Sequence, residues 1–363
     1  MLDSLMDPKG VIAEAQAMAA KAFGARRTFF ATNGTSTANK VLFQTLLAPG
    51  EKLLLDRNCH NSVHHGVVLS GAHPVYLDSA LNRKYGLYGP VPKKTLLAAI
   101  RNHPDAQALI LTSCTYDGLR YDLAPIVAAA HGKGIKVIVD EAWYGFARFH
   151  PEFRPTAVEA GADYATQSTH KVLSAFSQAS MIHVNDPTFR EHLFRENFNM
   201  HTSTSPQYGL IASLDVARKQ AVMEGYKLLA RTLALGEELR AQINSTRVFR
   251  VLELEDLLPD EVKHDLLMDR MYPVVAFPEH HFTTLTSYGE RLGLTSGAAK
   301  GNFVIVAYED PNTTPPQISV AISTTMGHLF EYRQVLSSSG EPLSDPDVTT
   351  DGESVGVTWR RTL

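Results

Sequence analysis

Ala165-Thr166-Gln167-Ser168-Thr169-His170-Lys171 stands between two apolar runs, an earlier one closing on Val139-Asp140-Glu141-Ala142-Trp143 and a later one reading Gln178-Ala179-Ser180-Met181-Ile182-His183-Val184. Runs of this length and composition predict buried strands, and more of them lie upstream. Lys52 to Leu55, Pro74 to Leu77, Ala108 to Thr112, Lys136 to Asp140, Tyr164 to Gln167 and Met181 to Val184 all read as strands. Helical spacing separates most of them: Val11 to Phe23, Thr37 to Leu47, Lys93 to Arg101 after Pro92, and Leu123 to His131 stopped by Gly132. This alternation predicts an α/β fold with a doubly wound, mostly parallel sheet.

In open sheets of that kind, ligands collect at the carboxyl ends of the strands, where Asp140 and the Ser168 to Lys171 segment fall. A lysine there becomes a nucleophile or an imine partner only if desolvation or a neighbouring cation lowers its pKa. Alone, Ser-Thr-His-Lys reads as well as a solvated surface run. Upstream, Thr32-Asn33-Gly34-Thr35-Ser36-Thr37 opens a helix whose apolar positions Ala38, Val41, Leu42 and Leu46 recur until Pro49-Gly50. Such a small, hydroxyl-rich helix start suits a phosphate, because its backbone N–H groups and the helix dipole both favour an anion. An ordinary Ser/Thr cap is the plainer reading. Neither a Gly-Lys-Ser/Thr P-loop nor a Gly-x-Gly-x-x-Gly fingerprint follows, so a single phosphate fits better than a nucleotide. His60 comes just after the strand ending at Leu55-Asp56, placing a flat imidazole where an aromatic cofactor ring could stack on it. Cys59, His60, His64 and His65 could instead be read as a zinc cluster. They lack both a His-Glu-x-x-His frame and a Cys-x-x-Cys pair, so no metal is expected.

Several linked segments bear on family. They are Asp3-Ser4-Leu5-Met6-Asp7-Pro8-Lys9-Gly10, Thr32-Asn33-Gly34-Thr35-Ser36, Asp56-Arg57-Asn58-Cys59-His60, Thr115-Tyr116-Asp117-Gly118, Val139-Asp140-Glu141-Ala142-Trp143, Ser168-Thr169-His170-Lys171 and His201-Thr202-Ser203-Thr204-Ser205-Pro206. In order and spacing they closely resemble the major domain of the bacterial ornithine/lysine/arginine decarboxylases, over about residues 3 to 225. The resemblance implies an aspartate-aminotransferase-like fold (fold type I) and pyridoxal 5'-phosphate as cofactor. It also implies roles by position. Lys171 would carry the cofactor as an imine. Gly34, Thr35, Ser36, Ser168 and His170 would hold its phosphate, His60 would stack on its ring, and Asp140 would pair with the ring nitrogen. A carboxylate at that nitrogen keeps it protonated and so sustains the electron sink. Trp143 would line the cavity or simply fill core. The activity implied is α-decarboxylation of lysine, ornithine or arginine to a diamine or agmatine, and the residues do not choose among the three. Transamination or oxidation with the same cofactor, or a degenerate non-catalytic module, are the alternatives. The resemblance further implies at least a homodimer, with Thr202 reaching the adjoining subunit; the plainer reading of that segment is a cap for the helix after Pro206.

The remainder is consistent with one enzyme. The chain has 363 residues, 44% of them hydrophobic, and a net charge of −4, enough to bury a large core and without the basic run that nucleic acid or an anionic membrane would attract. Two cysteines, Cys59 and Cys114, do not make a secreted disulfide framework. No apolar run approaches membrane-spanning length and no signal-peptide pattern opens the chain, so a cytoplasmic location is expected. The expected organisation is a cofactor-binding major domain over 1–235, including a long linking helix from Leu210 toward Leu239, then a small α+β domain over 236–336. Val248 to Glu253 and Pro316 to Ser323 read as its strands. Residues 337–363, rich in Ser, Gly, Pro and Asp at their start, read as a disordered tail. Between about His264 and Asn302 the family pattern is not found. Residues ahead of Asp3 and a further C-terminal domain, both usual in the family, are not recognised either.

Overall fold

The computed structural model of the chain describes residues 3–82, 87–115, 118–245, 250–253, 256 and 262, and strand backbone at 266–268, 274–276, 294–300, 303–310, 317–323, 332–335, 343–350 and 355–361. Two compact units emerge, residues 1–242 with 252–274 and residues 243–251 with 275–363.

In the first unit the strands, in chain order, are β1 (Arg27–Ala31), β2 (Lys52–Asp56), β3 (His73–Leu77), β4 (Leu81–Asn82), β5 (Leu87–Tyr88), β6 (Ala106–Thr112), β7 (Leu119–Tyr121), β8 (Lys136–Asp140), β9 (Tyr164–Gln167) and β10 (Ser180–Val184). Between them run α1 (Val11–Phe23), α2 (Gly34–Leu46), α3 (Asn61–Ser70), α4 (Lys93–Asn102), α5 (Leu123–His131), α6 (Thr169–Val172), α7 (Glu191–His201) and α8 (Tyr208–Ser245). Seven strands form one sheet in the order β1-β10-β9-β8-β6-β2-β3. β10 alone runs against both its neighbours, and the pairs from β9 to β3 are parallel. The predicted doubly wound, mostly parallel sheet is what forms.

The strands read as unbroken apolar runs because helices cover both faces, and every residue of β9 and β10 is buried. Phe30, Leu42, Phe43, Leu53, Ile138, Met181 and Leu214 share one core cluster. Each such side chain stabilises the fold by roughly 1.5–3 kcal/mol on burial. Two glycines set helix positions near the sheet's carboxyl edge. Gly34 begins α2 at φ +75°, a left-handed conformation that side chains with a Cβ avoid. Gly66 lets α3 approach α2, since a Cβ there would lie 2.7 Å from the Phe43 ring.

Some expectations need correction. β1 and α7 were not among the predicted elements, and α2 starts at Gly34 rather than Thr37. Residues 252–274, assigned by sequence to the small domain, group with the first unit, where 266–268 pair antiparallel with β7. In the second unit, 294–300, 303–310, 317–323 and 332–335 form a four-stranded antiparallel sheet. Residues 343–350 and 355–361 form an antiparallel hairpin where composition predicted disorder. The alternating residues Val355, Val357 and Trp359 there supply the strand propensity that the tail's Ser, Gly and Pro content masks. The helical part of the expected α+β domain, and most of the segment from His264 to Asn302, lie outside the described residues. Among described residues no helix is long and apolar enough to cross a membrane.

Candidate functional site

At the carboxyl edge of the first unit's sheet lies a cavity of about 510 Å³. Gly34, Thr35, Ser36, His60, Asp140, Trp143, Ser168, His170 and Lys171 all line it. Nine of the ten positions named from sequence thus meet in one place, from β2, β8 and β9 ends and the α2 start. The tenth, Thr202, follows α7; it is 8% exposed and does not line the cavity.

Asp140 ends β8 and is almost fully buried. Its Oδ1 accepts from the Ala142 N–H at 3.0 Å and its Oδ2 from Asn39 Nδ2 at 2.9 Å. Burial raises its pKa above the ordinary carboxylate value, against those two donors and the charges of His60 and Lys171. Lys171 is half-buried on α6, with Nζ 4.7 Å from the centre of the Trp143 ring. Burial lowers its pKa and the Asp140 charge opposes that shift. A lysine depressed in this way offers a larger neutral fraction, as amine chemistry requires.

One end of the cavity is rich in donors. Asn33, at the cap position of α2, makes no side-chain capping bond, so the first N–H groups of that helix have no side-chain acceptor from it. Around them cluster three hydroxyls: Ser168 Oγ donates to Thr35 Oγ1 at 2.8 Å, and Thr35 Oγ1 is 3.3 Å from Ser180 Oγ. His170 Nδ1 is 2.9 Å from the Ala179 carbonyl, which can only accept, so Nδ1 carries a proton. His60 is exposed at the cap of α3, where its Nδ1 accepts from the Ser62 N–H at 3.1 Å. Cys59 and Cys114 are buried and form no disulfide, and burial pushes the Cys59 thiol up to about 12, far from thiolate reactivity.

Sequence reasoning missed Tyr88, Thr112, Cys114, Thr115, Ser177 and Gln178 as lining residues. Thr112 sits at the end of β6 in register with Asp140, and its buried Oγ1 has no hydrogen-bond partner. A buried hydroxyl without a partner is uncommon and marks where another polar group would fit. Asn39 was missed too, although an amide on the apolar face of α2, four residues after Thr35, was a readable signal. Among the described residues no group of three or more His, Cys, Asp or Glu could hold a metal ion.

Over residues 1–281 the chain matches the Orn/Lys/Arg decarboxylase major domain. It is 44% identical over 248 residues to a lysine decarboxylase of Pseudomonas aeruginosa, covering 62% of this chain and 32% of that protein. To an arginine decarboxylase of Bacillus cereus it is 40% identical over 244 residues, covering 67% and 53% respectively. The solved structure of lysine decarboxylase A from Pseudomonas aeruginosa superposes with a TM-score of 0.65 at 34% identity, over 76% of this chain and 44% of that one. The chain therefore spans from about a third to about half of the length of these relatives.

Proposed function

The chain belongs to the Orn/Lys/Arg decarboxylase family, and from that premise we propose that its cavity holds pyridoxal 5'-phosphate for the α-decarboxylation of a basic amino acid, whether lysine, ornithine or arginine. The observation that carries this reading is a single cavity joining a pKa-depressed lysine, a buried carboxylate and a hydroxyl-lined helix start.

The residues fit the group. Gly34, Thr35, Ser36 and Ser168 would hold the phosphate through hydroxyls and the N-terminus of α2, with His170 beside them. Asp140 would face the ring nitrogen, His60 would stack on the ring, and the unpartnered Thr112 hydroxyl would meet a polar ring substituent. When bound, pyridoxal phosphate supplies an aldehyde for covalent attachment of an amine and a ring that withdraws the electron pair left when a bond to the α-carbon breaks. As a carboxylate, which its two donors favour against burial, Asp140 would hold a proton on the ring nitrogen. Lys171 Nζ would be the attachment amine and, as a free amine, could carry a proton at the reacting carbon. Trp143 would line the cavity beside Lys171, whose Nζ lies 4.7 Å from the centre of its ring. Under the same reading the working protein is a cytoplasmic homodimer, with Thr202 contributing to the neighbouring subunit's cavity.

The test is to incubate the chain and cofactor separately with L-lysine, L-ornithine and L-arginine, following CO2, amine and keto acid. Equal amounts of CO2 and amine from at least one substrate are expected. Keto acid in place of CO2 would assign the site to transamination, and neither product from any substrate would contradict the proposed activity.

A further inference from the structure

Behind the cavity wall, Asn39 joins three elements through one side chain. It has no exposed surface and lies one turn beyond Thr35 on the inward face of α2. Its Nδ2 donates to Asp140 Oδ2 on β8 at 2.9 Å and to Ser62 Oγ on α3 at 3.1 Å. Its Oδ1 accepts from Thr166 Oγ1 on β9 at 2.9 Å. The orientation of the amide is fixed by these partners, because an ionised carboxylate only accepts and a flipped amide would set oxygen against oxygen. Ser62 continues the chain: its Oγ is 2.8 Å from His60 Nδ1, the nitrogen that also accepts from the Ser62 N–H. With Nδ1 accepting, a neutral His60 carries its proton on Nε2. A link therefore runs from Thr166 through Asn39 to Asp140 on one branch and to His60 on the other.

We propose that Asn39 is the positioning residue of this site, a buried amide that holds the Asp140 carboxylate and, through Ser62, the His60 ring in one mutual arrangement. The inference rests on the cavity being a pyridoxal-phosphate site. In that site Asp140 must stay ionised and aimed at the ring nitrogen while His60 keeps one face toward the ring. Of the influences on Asp140, burial is the largest and favours the neutral acid, and the Asn39 donation is the largest that opposes it. Without Asn39 the carboxylate keeps one donor, the Ala142 N–H, and Ser62 loses the group that orients its hydroxyl. Asn39 does not itself line the cavity, so its effect passes through Asp140 and His60, which do.

Two variants test this. Asn39→Leu keeps the approximate volume and removes both donors. Thr166→Val keeps the shape of Thr166 and removes only the hydroxyl that pins the amide. The first readout is carbon-13 NMR of aspartate-labelled, cofactor-free chain, with the Asp140 signal assigned from Asp140→Asn. Its titration midpoint is expected to move up by about one to two pH units in Asn39→Leu and by less in Thr166→Val, since a hydrogen bond to a charged group is being lost. The second is nitrogen-15 NMR of ring-labelled pyridoxal phosphate bound to each chain, where the variants' signal should move from the protonated toward the unprotonated position. A merely structural role would lower thermal stability and leave both signals where they are. If Asn39→Leu does not fold, Thr166→Val decides alone. Unmoved signals in a wild-type-like, cofactor-binding variant would overturn the role of Asn39 and leave the cofactor reading intact. A wild-type chain that takes up no pyridoxal phosphate would overturn both.

Discussion

At the scale of single residues, Lys171 and Asp140 differ in what they should cost when replaced. Lys171→Ala removes the attachment amine but leaves the hydroxyls around Thr35 and Ser168, so the variant should still take up some cofactor. Turnover should fall roughly 10²–10⁴-fold or more, the range for losing a group that moves a proton in the transition state; steady-state kinetics beside an equilibrium cofactor titration separates the two. Glu141 offers a pH signature of its own. It is buried, and burial pushes its carboxyl up to about 7, against donors from Gln167 and Ala157 and beside the charges of Asp140 and Arg120. A folded-state pKa above the unfolded one means the folded chain binds more protons, so stability from this group is present below about 4.5 and lost as pH rises to about 7. Glu141→Gln should remove that slope, a difference on the order of 3 kcal/mol across the window. The substitution can be housed because the chain Glu141–Gln167–His183–Thr28 can reverse: Gln167 turns over and the His183 proton moves to Nδ1. His183 is held neutral by burial, down to about 3, which permits the exchange of tautomers. Thermal melts of both proteins from pH 4 to pH 8 check this, and parallel curves would contradict it.

At the scale of elements, the start of α2 ties backbone to chemistry. Gly34 stands at φ +75° with open space where a Cβ would go, so Gly34→Ala meets no clash and pays only for conformation, about 1–2 kcal/mol. Relaxing that strain would turn the first N–H groups of α2 away from the phosphate position, so cofactor affinity should fall with stability; a melt with and without cofactor measures both. The elements also show how far the residues could be read. β2 and β8 were legible because a strand covered on both faces leaves an unbroken apolar run, as Leu53-Leu54-Leu55 and Val137-Ile138-Val139 do. β1 escaped because it opens with Arg27 and Thr28, and its pairing with β10 is a long-range fact that no local window contains. α7 escaped for a similar reason: its burial rests on Phe194 and Phe198 alone, with Glu191 and His192 before them and Arg195, Glu196 and Asn197 between. Within the site, the motif residues were legible through family resemblance. Thr112 was not, because its importance comes from register with Asp140; the Asn39 amide stood out on the apolar face of α2, but its partners appear only once β8 and α2 are assembled.

At the scale of the whole molecule, assembly is the open expectation. Thr202 sits away from the cavity of its own chain, buried after α7 beside His201, which bonds Gln44. If it serves the neighbouring subunit, light scattering should give at least a dimer. Mixing a Lys171→Ala chain with a Thr202→Ala chain should then recover part of the activity each lacks, because one site in each mixed dimer is built from intact halves. A fully active monomer would contradict this. Cofactor attachment does not depend on assembly: under the proposed function the cavity at the carboxyl edge of the sheet would bind pyridoxal phosphate through Lys171. Its most direct test is borohydride reduction of the cofactor-loaded chain followed by peptide mapping. One labelled site is expected, at Lys171, absent from Lys171→Ala; label on another lysine, or none on a chain saturated with cofactor, would overturn the assignment.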